Sequence, residues 1–223
     1  MSTIAENIRL IRKGLSKEVE LVAVSKYHPI ESIKLAYACG QRVFGESHVQ
    51  ELTQKYKLLP KDIEWHFIGH LQTNKVKLII PFISLIHAVD SFKLLCEINK
   101  QAQKQQRCIA CLLQLHVANE ESKFGFSLSA CEQMLANSEW KNLTSIKLKG
   151  VMCMASNVDD EAQINGEFKD AYDFFLHIKE LFFSDDDEFC LRSWGMSHDY
   201  KIAMRQGSTL VRIGSDIFGD RQY

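Results

Sequence analysis

The sequence predicts an α/β protein built as a single (β/α)8 TIM barrel with an extra N-terminal helix, residues 1–223 forming one domain. Three observations lead there. About eight short apolar runs alternate with helical patterns, the rhythm of a parallel sheet closed by crossover helices. The chain has 223 residues, 46% of them hydrophobic, which suits one barrel. Only three prolines occur, and no Gly/Ser-rich or low-complexity stretch marks a linker. The rival, a doubly wound open sheet, wants a glycine-rich fingerprint after its first strand, and Ser25-Lys26-Tyr27-His28-Pro29 is not one.

The elements follow in order. Residues 2–15 read as a helix, because Ile4, Ile8, Ile11 and Leu15 recur at helical spacing with charges on the other faces. Residues 21–24 are four consecutive apolar positions, suited to a strand buried on both faces, and Pro29 cannot continue it. Residues 30–39 have helical period, and Gly40 suits the position just past a helix end. A short strand and turn at 42–46 precede a helix at 49–59, stopped by Pro60. Then come a strand at 64–69, a helix at 73–80, a strand at 84–89 and a helix at 91–105 opened by Ser91. A strand at 108–117, a helix at 129–136 and a strand at 148–154 lead to the longest helix, 161–183, with Phe168, Tyr172, Phe175 and Ile178 on one face. A strand at 189–194, a helix at 199–205, a strand at 208–213 and a short tail complete the chain.

Composition excludes some functions. A net charge of −1 and a near-neutral isoelectric point leave no basic excess for gripping a phosphate backbone, so no nucleic-acid partner is expected. The run Asp185-Asp186-Asp187-Glu188 reads as a solvated loop. Met1 to Asn7 carry no signal-peptide core, and the longest apolar stretch, 78–89, is broken by Pro81 and too short for a bilayer. A cytoplasmic protein with no membrane partner is expected. Seven cysteines at irregular spacing fit reduced thiols. Cys108 and Cys111 form a C-x-x-C, but residues three apart on a strand face opposite sides and no second pair completes a zinc site; core packing is expected.

Lys26 stands where a barrel puts its chemistry, at the carboxyl end of its first strand. Desolvation lowers a lysine pKa and leaves an amine able to form a Schiff base with an aldehyde; the competing reading is a lysine extending its head to water. Phosphate sites in barrels often lie after strands seven and eight. Here those loops are Gly195-Met196-Ser197-His198-Asp199 and Gly214-Ser215-Asp216-Ile217-Phe218-Gly219. Their backbone N–H groups and serine hydroxyls suit an anion, or shape ordinary turns. Arg212, between Val211 and Ile213, needs a partner inside the barrel: a ring nitrogen or carboxylate of a ligand, or an ion pair with Glu46. An amine for an aldehyde, a phosphate cradle and a cation beside a ring together describe pyridoxal phosphate.

The sequence also resembles the YggS/PROSC family of pyridoxal phosphate homeostasis proteins. The matching stretches include Ala23-Val24-Ser25-Lys26, Phe44-Gly45-Glu46, Val49-Gln50-Glu51, Trp65-His66-Phe67-Ile68-Gly69-His70-Leu71-Gln72 with Asn74-Lys75, and His87-Ala88-Val89-Asp90-Ser91. Further on come Gly150-Val151-Met152-Cys153-Met154-Ala155, Gly195-Met196-Ser197 with Asp199, and Gly207-Ser208-Thr209-Leu210-Val211-Arg212-Ile213-Gly214 through Ile217-Phe218-Gly219. The set runs from residue 23 to residue 219 and is specific as a whole. The resemblance implies the N-terminal barrel of alanine racemase, fold type III of pyridoxal phosphate proteins. It implies that Lys26 carries the internal aldimine, that Arg212 faces the pyridine nitrogen, and that Ser197 and the backbone around Gly214 and Ser215 hold the phosphate. Two departures stand out. Ser47-His48 replaces the family's usual Asn-Tyr, which puts the cofactor contact at Ser47 in doubt, and Trp194 replaces a usual Met, which is expected to alter the pocket wall.

A racemase of this fold type carries a second, β-rich domain that supplies an acid/base residue, and the chain reaching its end at Tyr223 is expected to lack it. A cation by the pyridine nitrogen also disfavours ring protonation and weakens the ring as an electron sink. The expectation is a pyridoxal phosphate carrier that holds the cofactor on Lys26 and delivers it, possible recipients being apo-enzymes. The alternative is a racemase or lyase using Lys26 with His66 or His198 as acid/base. A monomer is expected over a dimer.

Overall fold

The computed structural model describes residues 3–118 and 124–219. Ser2, the first residue of the expected N-terminal helix, and the tail 220–223 lie outside them. Eight parallel strands close in chain order: β1 (Glu20–Val24), β2 (Val43–Glu46), β3 (Glu64–Phe67), β4 (Leu85–Val89), β5 (Ile109–Gln114), β6 (Ile146–Met152), β7 (Leu191–Ser193) and β8 (Leu210–Ile213), which pairs back onto β1. A helix follows each strand: α2 (Ile30–Ala38), α3 (Val49–Leu58), α4 (Val76–Ile79), α5 (Phe92–Lys104), α6 (Leu128–Ala136), α7 (Glu161–Phe182), α8 (Tyr200–Arg205) and α9 (Ser215–Phe218). The extra helix, α1 (Ile4–Gly14), precedes β1. This is the (β/α)8 barrel expected from the sequence.

Local chemistry sets the helix starts. Thr3 and Glu6 form a reciprocal capping box on α1, Ser91 caps α5 through the Leu94 N–H, and Asp160 accepts from the N–H groups of Ala162 and Gln163 at the start of α7. Strand alternation then sorts side chains into two cores. Val22, Val43, Leu85, Leu112, Met152 and Leu210 form a small cluster that plugs the barrel. Ala23, Phe44, Trp65, Ile86, Cys111, Val151 and Val211 belong to the larger layer under the helices. Truncating a fully buried ring such as Phe44 to alanine costs about 3–5 kcal/mol.

Several strands are shorter than the sequence suggests, β3 and β8 by two residues each and β5 and β7 by more. The run 108–117 keeps only β5: the Leu115 N–H still donates to the Met152 carbonyl, but beyond it the chain turns to Phe126, whose carbonyl accepts from the His116 N–H. Cys108 therefore lies exposed before the strand while Cys111 is buried, so core packing holds for Cys111 alone; all seven cysteines are free thiols. Of 189–194, only β7 pairs, and Phe189 and Trp194 turn into the outer layer. β7 meets β8 with Ser193 opposite Leu210, whereas β5 and β6 run side by side from Ile109 and Ile146 to Gln114 and Met152. The expected tail after β8 contains the single turn of α9. Among the described residues no helix is long and apolar enough to cross a membrane.

Candidate functional site

A cavity of about 710 Å³ opens at the carboxyl ends of the strands, the size of a small-ligand site. Its wall is assembled from the segments that follow the strands, because only there do side chains escape the packed barrel. Lys26 lies two residues past β1 and Ser47 directly follows β2. Ser197 comes from the loop after β7, Arg212 from the end of β8, and Gly214 and Ser215 from the turn beyond it. All six residues singled out from the sequence thus line one cavity. His28, Ile68, Met154, Asn157, Met196 and His198 also line it. Asn157 had no local signal, since a lone Asn after a strand reads as turn chemistry.

The two serine-glycine loops are joined. The Gly214 N–H donates to Ser197 Oγ at 3.4 Å. Asp199, buried, accepts the Met196 N–H at 2.5 Å and so shapes the turn that presents Ser197. Gly195 sits at φ +95°, and a Cβ there would lie 2.6 Å from Ala203 Cβ and 2.9 Å from Tyr200 Cα, so no other residue fits this turn. His28 packs on Phe218 of α9, with ring centroids 5.0 Å apart, and steadies the opposite side of the cradle.

Arg212 points inward and is buried. Its Nη1 donates to the Ser193 carbonyl at 2.7 Å and to Ser193 Oγ at 2.6 Å, and its Nη2 donates to the Cys153 carbonyl at 3.0 Å. Among the described residues it makes no ion pair. The proposed partner Glu46 is therefore corrected: strand parity puts Arg212 inside the barrel and Glu46 outside, facing α3. Ser193 Oγ lies 2.9 Å from His87 Nδ1, and His87 Nε2 lies 3.0 Å from His66 Nδ1. Ser193 Oγ accepts from Arg212, and the tautomer of His87 sets which way the hydrogen bonds run from Ser193 to His66. Burial holds both imidazoles neutral: His66 is pulled down to about 3, and His87 is lowered too, by burial first and then by the repulsion its charged form would meet from a charged His66 and from the Arg212 guanidinium. This neutral relay was not read from the sequence, although His66, His87 and Ser193 share the inward parity. His66 does not line the cavity; His198 does, with its Nε2 3.3 Å from Asp199 Oδ2.

Outside the barrel wall Glu46 Oε1 accepts from Ser25 Oγ at 2.6 Å and from Lys55 Nζ at 2.7 Å. Its Oε2 is buried without a hydrogen-bond partner, and burial, opposed by Lys55, pushes its pKa up to about 7. Trp194 is also corrected. It is fully buried in the outer layer, out of phase with the inward Ser193, and does not form the cavity wall. No group of three or more His, Cys, Asp or Glu that could hold a metal occurs among the described residues.

Comparison with known proteins places this geometry in context. The alanine racemase N-terminal domain is matched over residues 1–222. A pyridoxal phosphate homeostasis protein of Schizosaccharomyces pombe is 35% identical over 99% of this chain and 94% of its own length. The namesake in Aquifex aeolicus is 35% identical over 92% of this chain and 88% of its own. Among solved structures, PipY of Synechococcus elongatus without PLP superposes with a TM-score of 0.91 at 32% identity, covering 97% of this chain and 100% of PipY. PipY with PLP bound superposes at 0.88 and 31% identity, with the same coverage. An alanine racemase of Clostridium difficile, 14% identical, shares the fold at a TM-score of 0.78, over 99% of this chain and 56% of the racemase.

Proposed function

The chain belongs to the alanine racemase N-terminal domain family, among its pyridoxal phosphate homeostasis proteins, and from that membership we propose that its cavity binds pyridoxal 5′-phosphate and that the protein stores and delivers the cofactor inside the cell. One observation carries this reading: an amine, a buried cation with neutral partners and a double serine-glycine cradle line a single cavity. The residues fit the group. Lys26 holds the aldehyde end as a Schiff base; Ser197 and the N–H groups around Gly214 and Ser215 take the phosphate; Arg212 meets the ring nitrogen; Ser47 flanks the ring. When bound, the cofactor supplies an electrophilic aldehyde and an electron-withdrawing ring. Arg212 keeps the facing nitrogen unprotonated and so weakens that withdrawal, a feature that racemases of this fold type share. Delivery to apo-enzymes, a monomeric state and one cofactor-binding unit over 1–223 belong to the same reading.

The test is an absorption spectrum of the purified protein before and after borohydride, with peptide mapping. A band near ~420 nm, the region expected of this cofactor in imine linkage, and a pyridoxyl group on Lys26 are expected. Lys26→Ala is expected to lose both. A protein that stays colourless with added cofactor overturns the proposal.

A racemase or lyase has one observation in its favour, since His198 lines the same cavity beside Asp199. Solvent-deuterium exchange at the Cα of amino acids separates the two. A carrier leaves Cα unexchanged, and exchange abolished in both Lys26→Ala and His198→Ala supports the enzyme.

A further inference from the structure

We infer that Lys55, Glu46 and Glu51 are positioning residues for Lys26, acting as one ion cluster, with Lys55 and Glu46 buried and Glu51 partly so, that grips the peptide groups on both sides of it. The inference rests on the reading of Lys26 as the cofactor's anchor.

Lys55 Nζ donates to three oxygens, each at 2.7 Å: the Ser25 carbonyl, Glu46 Oε1 and Glu51 Oε1. The same Glu51 Oε1 accepts the Tyr27 N–H at 2.7 Å. The Ser25 carbonyl belongs to the peptide entering Lys26, and the Tyr27 N–H belongs to the peptide leaving it. Both planes that set the Lys26 Cα–Cβ direction are therefore tied to one ammonium and its carboxylates. Ser25 is fixed again by its hydroxyl on Glu46 and by its N–H on the Gly45 carbonyl at 3.0 Å. Tyr27 sits at φ +64°, a left-handed conformation that costs any residue with a Cβ, and the Glu51 bond opposes its relaxation. His48 packs on Tyr27, with ring centroids 5.1 Å apart, and its Nδ1 lies 3.8 Å from Glu51 Oε2. The outward-facing Glu46 and α3 thus aim a side chain that lines the cavity.

Aim matters because the rest of the ligand is held elsewhere. The loops after β7 and β8 fix the phosphate and ring side, so the aldehyde carbon has a set location. The neutral Lys26 amine adds its lone pair to that carbon, a C=N bond forms, and the aldehyde oxygen leaves as water with the two amine protons. A lysine whose backbone is pinned reaches that carbon at smaller entropic cost than one on a mobile turn.

Two phosphorylated probes test the inference in the full chain: pyridoxal 5′-phosphate, and pyridoxine 5′-phosphate, which docks but has no aldehyde. Glu51→Ala is expected to weaken pyridoxal phosphate binding, read at ~420 nm, about tenfold, the scale of one charge-assisted hydrogen bond. Affinity for pyridoxine phosphate is expected to stay unchanged. Glu51→Gln, which keeps an acceptor for the Tyr27 N–H, is expected to recover most of the loss, and Lys55→Met to repeat it. Equal losses for both probes mean general damage to the site and overturn the positioning role. So does unchanged imine formation in Glu51→Ala and Lys55→Met. A ~420 nm band that survives Lys26→Ala overturns the anchor reading itself, and this inference with it.

Discussion

Arg212 and Lys55 are both buried cations, yet they keep opposite company. Arg212 is met by two carbonyls and a hydroxyl, and the relay behind it ends in two neutral imidazoles. Lys55 touches two carboxylates as well as a carbonyl. The difference follows from what each cluster holds. Inside the barrel the thing being held is itself a charge, and a carboxylate there would cancel it before any ligand arrived. Neutral acceptors fix the guanidinium plane and leave its field directed into the cavity. Outside the barrel the things being held are peptide dipoles, so the cluster can consume its own charge while it grips them.

Breaking the charged cluster is expected to have the largest effect. Lys55→Met strands Glu46 and the Ser25 carbonyl in a buried site, and a loss of about 3–5 kcal/mol is expected in denaturant unfolding, the usual cost of removing one partner of a buried ion pair. A loss under about 1 kcal/mol, the scale of an exposed pair, would show that solvent already screens this cluster.

Titration is expected to perturb each cluster less, and in opposite directions. Glu46 is raised from 4.5 to about 7, so the folded state holds its proton longer than the unfolded chain does. Its contribution to stability is present below pH 4.5 and is lost as the pH rises through about 7. His66 is lowered from 6.5 to about 3, so its contribution is present above pH 6.5 and is lost as the pH falls toward 3. Thermal melts across this range are expected to flatten on the alkaline side in Glu46→Gln and on the acid side in His66→Gln. The same arm flattening in both variants would mean that the clusters titrate as one.

The smallest effect is expected from Ser193→Ala. It removes one of the acceptors of Arg212 and the partner of His87 Nδ1 but leaves the Ser193 and Cys153 carbonyls in place. About 1–3 kcal/mol of stability is expected to go, and pyridoxal phosphate affinity is expected to fall with it. A stability loss without an affinity loss would detach the relay from the site.

Much of this arrangement was legible in the sequence, and the misreadings have particular causes. Lys26 and Arg212 each have a bland reading, a lysine extending to water and a buried ion pair, and it is their company with the two serine-glycine loops that made one ligand site legible. The pairing of Arg212 with Glu46 ignored parity: Val22, Gly45 and Arg212 share the inward side, and Glu46 is one residue out of step. Lys55 escaped because a Glu–Lys pair four apart reads as a solvated helix face. Yet Val49, Leu52 and Lys55 fall on the buried side of α3, and that periodicity was available. The ends of β5 and β7 were not available, since they depend on where Leu115 and Trp194 find partners across the fold.

The fork of Arg212 has a mechanical consequence. It starts on β8, clasps the Ser193 carbonyl on the short β7 and reaches the Cys153 carbonyl just beyond β6. One side chain therefore staples three neighbouring staves of the barrel where β7 has only three residues to do so itself. Tension on that staple is shared with whatever lies against the guanidinium in the cavity. Loading the site should tighten the hoop, and amide protons along β7 and β8 should exchange with solvent more slowly in the loaded protein than in the empty one.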